Sequence, residues 1–596
     1  MGSCIPRVKL LYPELTQRDI SVSAIFGYYS RSNNTTEELT EKAWSIDKET
    51  NDYVYKSFIE KWIIGFKHNS LSEHPSLHFY VEDISNIATK ILEANSMGQN
   101  GVPVAYMEKS TRYVNMENAK VFDLIPQYFQ TLAENGSNEN INRFKEKFDK
   151  IIDKQISMYN DRLSLYERIC ESNGVPKSKA FDSAREYLPA GISTIVGVSL
   201  NIRSLKEVIV NLLSNGNCEA YMIGDQLLDI CCNDFGEIIK RDEIIERVTY
   251  RANMLRGALH YSLDEMNSTA RVMAGKMNPN YQFLKSIKTS EIFDYEKIRD
   301  NIKNEFYDEE GKFSLSKLTK CLANKDNSSR TVALNTFMGL ECFLLERDGT
   351  LENCIDILNY IVELGHQGKM NVNDLPEATF DSYMTLLLKA DYGSYRDIAR
   401  HRRIKFVDRN FYSHNLVEKI YDCGDVNSNY NNFFTYYMDG IITSSPEDSE
   451  STAANKVALQ IATYRYYIEL TFDILDLIID IKKLLEEVRY DAIESNLLLF
   501  ELMSYLLPMS TEKMYKIKVS LPELIHLVQE RIQPAGHLYY RSLASSIWQV
   551  MKNVFENEKF IHVIENGLSF EKEPNDGRGS IWKDVCLAIE DKIIQI

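Results

Sequence analysis

The densest basic stretch of the chain, Arg396-Asp397-Ile398-Ala399-Arg400-His401-Arg402-Arg403, is the first place where side-chain type and spacing could do chemistry. Guanidinium forks match phosphate oxygens in two-point geometry, and a histidine among them adds a titratable donor, so the stretch suits an anion or a phosphate-bearing cofactor. A solvated, charged helix face has the same composition, and both readings stand open on the residues alone. A second set, Met107-Glu108-Lys109-Ser110-Thr111-Arg112-Tyr113, alternates acceptor, hydroxyl and guanidinium. These groups suit a nucleotide's sugar and phosphate, although exposed surface supplies the same types. Arg531 is the third. It ends the stripe Leu524, Leu527, Val528, Arg531, where burying an unpaired guanidinium costs on the order of several kcal/mol. The side chain needs a buried anion, a ligand or a snorkelling route to water.

Helical periodicity dominates the elements that must hold these groups. Phe58, Trp62 and Phe66 recur every four residues, and Ile474, Leu477, Ile478, Ile481 and Leu485 form a second apolar stripe. Strand-like runs are short, such as Leu77–Val81 and Ser193–Val198. Between about Asp242 and Leu334 the chain becomes charged and Asn-rich, with a loop signal at Lys325-Asp326-Asn327-Ser328-Ser329.

An internal repeat is anchored by two Leu-Pro pairs. Ala184-Arg185-Glu186-Tyr187-Leu188-Pro189 leads to Asn201-Ile202-Arg203-Ser204-Leu205, and Ser504-Tyr505-Leu506-Leu507-Pro508 leads to Ser520-Leu521-Pro522-Glu523-Leu524. Leu205 and Leu524 each lie 16 residues past their proline and each opens an apolar stripe. In that register Leu212 of the first stripe faces Arg531 of the second. Lys67-His68 and Gly365-His366 precede the polar centre of each half.

The chain has 596 residues, 44% of them hydrophobic and 26% charged, an ordinary globular composition spanning several domains' worth of sequence. With 86 acidic against 68 basic residues the net charge is -18, which argues against a nucleic-acid coat or an anionic-membrane protein. No apolar run reaches the length of a membrane span. The 10 cysteines include no Cys-x-x-Cys pair and no zinc-like histidine spacing, so reduced thiols, a cytoplasmic location and no metal are expected.

Four stretches of the first half resemble, in order, the motifs of the flavin-dependent thymidylate synthases. They are His68-Asn69-Ser70-Leu71-Ser72-Glu73-His74, Glu108-Lys109-Ser110-Thr111-Arg112-Tyr113, Ala184-Arg185 with Leu188-Pro189, and Asn201-Ile202-Arg203-Ser204-Leu205. The resemblance covers roughly residues 10 to 240, and a fainter version covers about 335 to 560. The family's Arg-His-Arg is missing before Glu108, where a glycine-bearing stretch stands, yet it is intact at Arg400-His401-Arg402. The second half in turn lacks the Ser-x-Arg-Tyr, and Ser504, Ser520 and Pro522 replace Arg185, Asn201 and Arg203. The losses alternate.

The resemblance implies an α-rich α/β (α+β) fold with two tandem family-like domains, 1–275 and 335–596, packed as a pseudo-dimer. Residues 276–334 form a helical or charged linker between them. It implies FAD-dependent methylation at C5 of dUMP or a related pyrimidine nucleotide, with methylenetetrahydrofolate and NADPH as co-substrates. Family sites lie between subunits of a homotetramer, so one composite site between the halves, in a homodimer of tandem chains, is expected. By the same resemblance His68, Ser70, Asn201, Arg203, Arg400, His401 and Arg402 hold the cofactor, and Glu108, Ser110, Arg112 and Arg185 hold the nucleotide. Arg531 takes the pyrimidine-binding and catalytic place. The alternative is an inactive relative that keeps the fold and binds nucleotide or flavin, since neither copy carries the whole signature.

Overall fold

A computed structural model describes residues 4–94, 104–260, 295–406, 434–438 and 450–561, apart from single positions and short stretches inside these ranges, Tyr113, 364–374 and Arg402 among them. The expected boundary at 275, the Lys325–Ser329 loop and Gly365-His366 fall outside the described residues.

The protein is a helix-rich α+β molecule with small sheets. Strands β1 (Arg7–Leu10), β2 (Ser76–Ser85), β3 (Val104–Glu108) and β4 (Ser193–Asn201) form an antiparallel sheet in the order β1-β2-β4-β3. Later in the chain come β5 (Val332–Thr336), β6 (Glu341–Arg347), β7 (Tyr383–Asp391), β8 (Lys405–Phe406), β9 (Phe434–Met438) and β10 (Glu512–Ser520). Of these, β6, β7, β8 and β10 make a second antiparallel sheet in the order β6-β7-β10-β8, the same arrangement of first, second, fourth and third strand. β5 and β9 pair in parallel beside it. Period-2 alternation sets the faces: β2 buries Leu77, Phe79 and Val81, and β10 buries Tyr515, Ile517 and Val519 while Lys516 and Lys518 point the other way.

The same strand-to-helix device recurs in both sheets. Asn201 ends β4 and caps the helix Ile202–Leu213 by accepting from Ser204 N at 2.8 Å, and Ser520 ends β10 and caps Leu521–Arg531 by accepting from Glu523 N at 3.5 Å. Ser85 and Asp391, which close β2 and β7, likewise accept from Ala88 N and Ser394 N. Short polar side chains at these positions satisfy helix N–H groups that have no carbonyl partner.

The two parts join backbone to backbone. Pro189 lies opposite Pro508 in an antiparallel bridge, Ala190 N donates to Leu507 O at 2.8 Å, and Met509 N donates to Leu188 O at 2.8 Å. Gly191 N donates to Tyr505 O at 3.0 Å. A Cβ at Gly191 would come within 2.8 Å of that oxygen, so the close approach requires glycine. Two long helices, Asn138–Ser172 and Glu450–Glu487, pack together beside this joint, with Lys147 between Asp476 and Asp480 at 2.6 and 2.8 Å and Lys154 on Asp473 at 2.7 Å. One apolar core runs through both parts, placing Phe148, Ile152 and Tyr187 with Tyr467, Ile474 and Tyr505, and a second lies under the first sheet alone. Helix Tyr295–Phe306, within the segment expected to link the halves, buries Ile298, Ile302 and Phe306 in the shared core and packs on Glu450–Glu487.

Candidate functional site

At the joint, carboxylates and guanidiniums from both sheets interlock. Glu108, the last residue of β3, has its side chain buried, accepts from Arg396 Nη2 at 2.6 Å and from Lys90 Nζ at 3.0 Å, and lies 3.9 Å from Arg400. Burial pushes its carboxyl up, but Arg396, Lys90 and Arg400 pull it down to about 2. Arg185, 2% exposed, donates to Asp397 Oδ2 at 3.0 Å and contacts Glu186 at 3.4 Å. Burial again opposes the charge on Asp397, and Arg185, then Arg400, Arg112 and Arg531, hold it far below the usual carboxylate range. Asp397 is therefore the anion around which arginines of both parts gather. Arg112 forks onto Asp182 at 2.5 and 3.1 Å, and its backbone N–H donates to Ser110 Oγ at 3.1 Å.

Arg531 closes the cluster. Its Nε donates to His401 Nε2 at 2.8 Å, so that ring nitrogen accepts and the imidazole is neutral. Burial, with Arg531 and His526 nearby, lowers the His401 pKa to about 3. The apolar stripe suggests a buried arginine, yet Arg531 is half-buried. It is the last residue of its helix, where the stripe runs out toward solvent and a cation faces the negative end of the helix dipole. Arg400 is 42% exposed, and its nearest carboxylates, on Glu108 and Asp397, are both 3.9 Å away.

Glu108, Arg112, Arg185, Arg400, His401 and Arg531 thus belong to one neighbourhood, and Ser110 adjoins it through Arg112. Arg402 lies outside the described residues. The remaining expected residues group elsewhere on the first part. His68 opens the short 3-10 turn Asn69–Glu73 with its ring 5.5 Å from Trp62, Ser70 is exposed, Asn201 is occupied as a helix cap, and exposed Arg203 pairs with Glu73. Sequence reasoning misses the anions that hold the arginines, Asp182 and Asp397, and misses Tyr540. Asp397 has a signal, since it stands three residues before Arg400 inside the basic stretch; Tyr540 has none.

A flavin dinucleotide fits part of this donor set. Arg400 is exposed and Arg531 half-buried, with neutral His401 accepting from Arg531, and such donors recognise diphosphate and ring carbonyl oxygens. Among the described residues no group of His, Cys, Asp and Glu could hold a metal ion, and no helix is long and apolar enough to cross a membrane.

A helix-rich α+β protein whose two small, like-ordered antiparallel sheets meet at a cluster of arginines and carboxylates is the class that fold and site define. The resemblance to the flavin-dependent thymidylate synthases holds at sequence level: residues 14–231 match the family described as thymidylate synthase complementing protein. Flavin-dependent thymidylate synthases of Pyrococcus furiosus and Pyrococcus abyssi are 25% and 24% identical over 185 residues, 30% of this chain. The chain spans 62% of the length of each of these curated relatives. A UMP/dUMP methylase from Streptomyces cacaoi, solved with 5-Br UMP, aligns over 42% of this chain and 99% of its own at 13% identity and a TM-score of 0.24.

Proposed function

We propose that the chain is a flavin-dependent thymidylate synthase-like enzyme that methylates C5 of dUMP or a related pyrimidine nucleotide at a composite site between its two parts. The observation that carries this reading is that Glu108, Arg112 and Arg185 meet Arg400, His401 and Arg531 at one joint, although each part alone has only half the set. The repeated strand order and the pairing of Pro189 with Pro508 support two tandem copies, domains 1–275 and 335–596, related as a pseudo-dimer. Two such chains would supply the four units of the family assembly, so a cytoplasmic homodimer is part of the proposal.

FAD, when bound, supplies the reducing chemistry, with NADPH as its reductant and methylenetetrahydrofolate as carbon donor. The protein's own residues bind and polarise. Arg531 donates to the pyrimidine carbonyl and stabilises negative charge as C5 becomes nucleophilic, a role worth on the order of 3 kcal/mol. His401 holds the Arg531 guanidinium plane by accepting from Nε. Arg112 and Arg185, with Ser110, bind the nucleotide, and Asp397 fixes the direction of Arg185. Arg400 and Arg402 hold the cofactor phosphates with His401. His68, Ser70, Asn201 and Arg203 are assigned to the cofactor as a separate group on the first part.

A specific observation favours a second reading. Arg112 and Arg185 are already committed to Asp182 and Asp397, as they would be in an inactive relative whose substrate arginines have become structural. The purified protein's absorption spectrum and a dUMP-dependent oxidation assay separate the two. Bound flavin oxidised faster with dUMP and methylenetetrahydrofolate supports the enzyme. Bound flavin or dUMP with no turnover supports the inactive relative, and neither ligand bound removes both.

A further inference from the structure

Tyr540 lies in the first turn of the helix Leu538–Val554, in none of the stretches that carry the family resemblance, and is 4% exposed. Its phenol oxygen accepts from Arg112 Nη1 at 3.3 Å, and its ring centroid stands 5.7 Å from the Arg112 guanidinium carbon and 5.4 Å from that of Arg531. One ring therefore touches a guanidinium from each part of the chain. Cation–ring attraction draws each guanidinium toward it, and the hydrogen bond fixes which edge of Arg112 is presented.

The ring itself is held by its surroundings. His537 caps the Leu538–Val554 helix by accepting from Tyr539 N at 3.3 Å, and its other ring nitrogen lies 3.0 Å from Asp182 O. The Gly536 backbone presses so close that a Cβ there would come within 2.5 Å of the Tyr540 ring, and Gly536 O is anchored by the buried Lys179 Nζ at 2.9 Å. Asp182 also holds Arg112 through both oxygens, so Arg112 and the backbone beneath Tyr540 share one anchor. Arg531 in turn reaches His401. The chain of contact runs from Asp182 through Arg112, Tyr540 and Arg531 to His401.

We propose that Tyr540 is a positioning residue of the composite site, setting the separation and orientation of Arg112 and Arg531 so that one nucleotide can meet both. The inference rests on the proposed function for the identity of the ligand and on the contacts alone for the positioning. It assigns the two effects to different parts of the side chain. The phenol positions Arg112, and the ring positions Arg531.

The test uses the full chain with Tyr540→Phe and Tyr540→Leu, read by calorimetric titration with dUMP and by the NMR titration of His401. Tyr540→Phe keeps the ring, so dUMP affinity falls only about fivefold, the size of one lost hydrogen bond, and His401 titrates as in the parent. Tyr540→Leu removes ring and phenol, so affinity falls about thirtyfold and His401 titrates at higher pH because Arg531 is no longer held against it. In an Arg531→Leu background, Tyr540→Leu adds little beyond the effect of Tyr540→Phe. If both variants bind dUMP like the parent and leave His401 unmoved, the proposal is overturned. If the parent binds no dUMP while Tyr540→Leu still shifts His401, the nucleotide reading fails and the positioning role stands. Should Tyr540→Leu fail to fold, Tyr540→Phe with parental affinity overturns the assignment of the phenol to Arg112.

Discussion

Arg185 stands four residues before Pro189 and Ser504 stands four before Pro508, and the two clusters around them solve the same packing problem in opposite ways. Around Arg185, buried carboxylates are neutralised by cations: Asp397 by the guanidinium of Arg185, Glu108 by the guanidinium of Arg396 and the ammonium of Lys90, and Asp182 by the guanidinium of Arg112. Around Ser504 they meet hydroxyls and an amide. Tyr505 Oη donates to Glu219 Oε2 at 2.7 Å, Ser85 donates to both Glu219 oxygens, and Asn217 Nδ2 donates to Glu501 at 2.6 Å. Ser504 turns back on its own helix and donates to Glu501 O. The electrostatic outcome follows. Glu108 is held ionised, at about 2, whereas burial of Glu219, only partly offset by Ser85 and Tyr505, raises its pKa to about 7. One cluster is held by full charges, while the other is held by hydroxyl and amide donors with Glu219 drawn toward its neutral form. The difference teaches that two sheets of like strand order, joined by the same backbone pairing, can surround that pairing with different buried chemistry.

The sharpest way to break this contrast is Asp397→Asn. Removing the nearer carboxylate leaves Arg185 buried with only the longer contact to Glu186 at 3.4 Å, so unfolding free energy measured with denaturant should drop by about 3 kcal/mol. A drop below about 1 kcal/mol would mean that Arg185 reaches water and the charged cluster is not sealed. Arg531→Leu comes next. It places at 531 the residue type that Leu212 has at the matching offset after Pro189, and dUMP affinity or turnover should fall about a hundredfold while the unfolding midpoint holds, because Arg531 is half-buried and its close contacts are neutral His401 and the Tyr540 ring. Parental nucleotide binding in this variant would remove the catalytic assignment.

Glu219→Gln sharpens the neutral side. A carboxyl whose folded pKa is raised contributes stability that is full below its unfolded value, near 4.5, and is lost as pH rises through about 7. The parent should therefore lose stability from this group between pH 5 and 7, and Glu219→Gln should abolish that slope, a difference on the order of 1 kcal/mol or more in denaturation curves across the window. For Glu108 the sign is reversed: its contribution is present above pH 4.5 and fades as pH falls toward 2. An unchanged slope in the variant would show Glu219 to be ionised in the folded chain. The smallest effect is expected at the long-helix pair, where Lys147→Met should cost under about 1 kcal/mol and less in high salt, since Lys147 and its two aspartates are partly exposed.

Much of this arrangement is legible in the amino-acid order. The runs at Leu77–Val81 and Ser193–Val198 lie within β2 and β4, and the Leu-Pro pairs mark the residues that face each other across the joint. The helix following each proline begins where the offset of Leu205 and Leu524 implies, because cap residues at Asn201 and Ser520 punctuate both. What the residue order leaves open is which charges neutralise which. Asp397 reads as one acid among arginines until the fold brings Arg185 to it, and Asp182 reads as an ordinary helix residue until Arg112 forks onto it. The exposure of Arg531 depends on where its helix stops, and a stripe pattern does not encode that. Residues 295–306 read as charged because their apolar positions, Ile298, Ile302 and Phe306, are diluted by Lys, Glu and Asp on the outer face.

Pro189 and Pro508 belong to one chain, so the bridge between them closes a loop of about 320 residues, at a chain-entropy cost on the order of 5 kcal/mol, without joining two molecules. A two-chain joint dissolves as the protein is diluted, but this one is formed at a fixed effective concentration set by the polypeptide itself. The pairing of Arg185 with Asp397, and of Arg396 with Glu108, should accordingly survive at nanomolar protein. The cost falls on kinetics: a contact this distant in sequence forms late, and until it forms Arg185 and Glu108 on one part and Asp397 and Arg396 on the other face water separately.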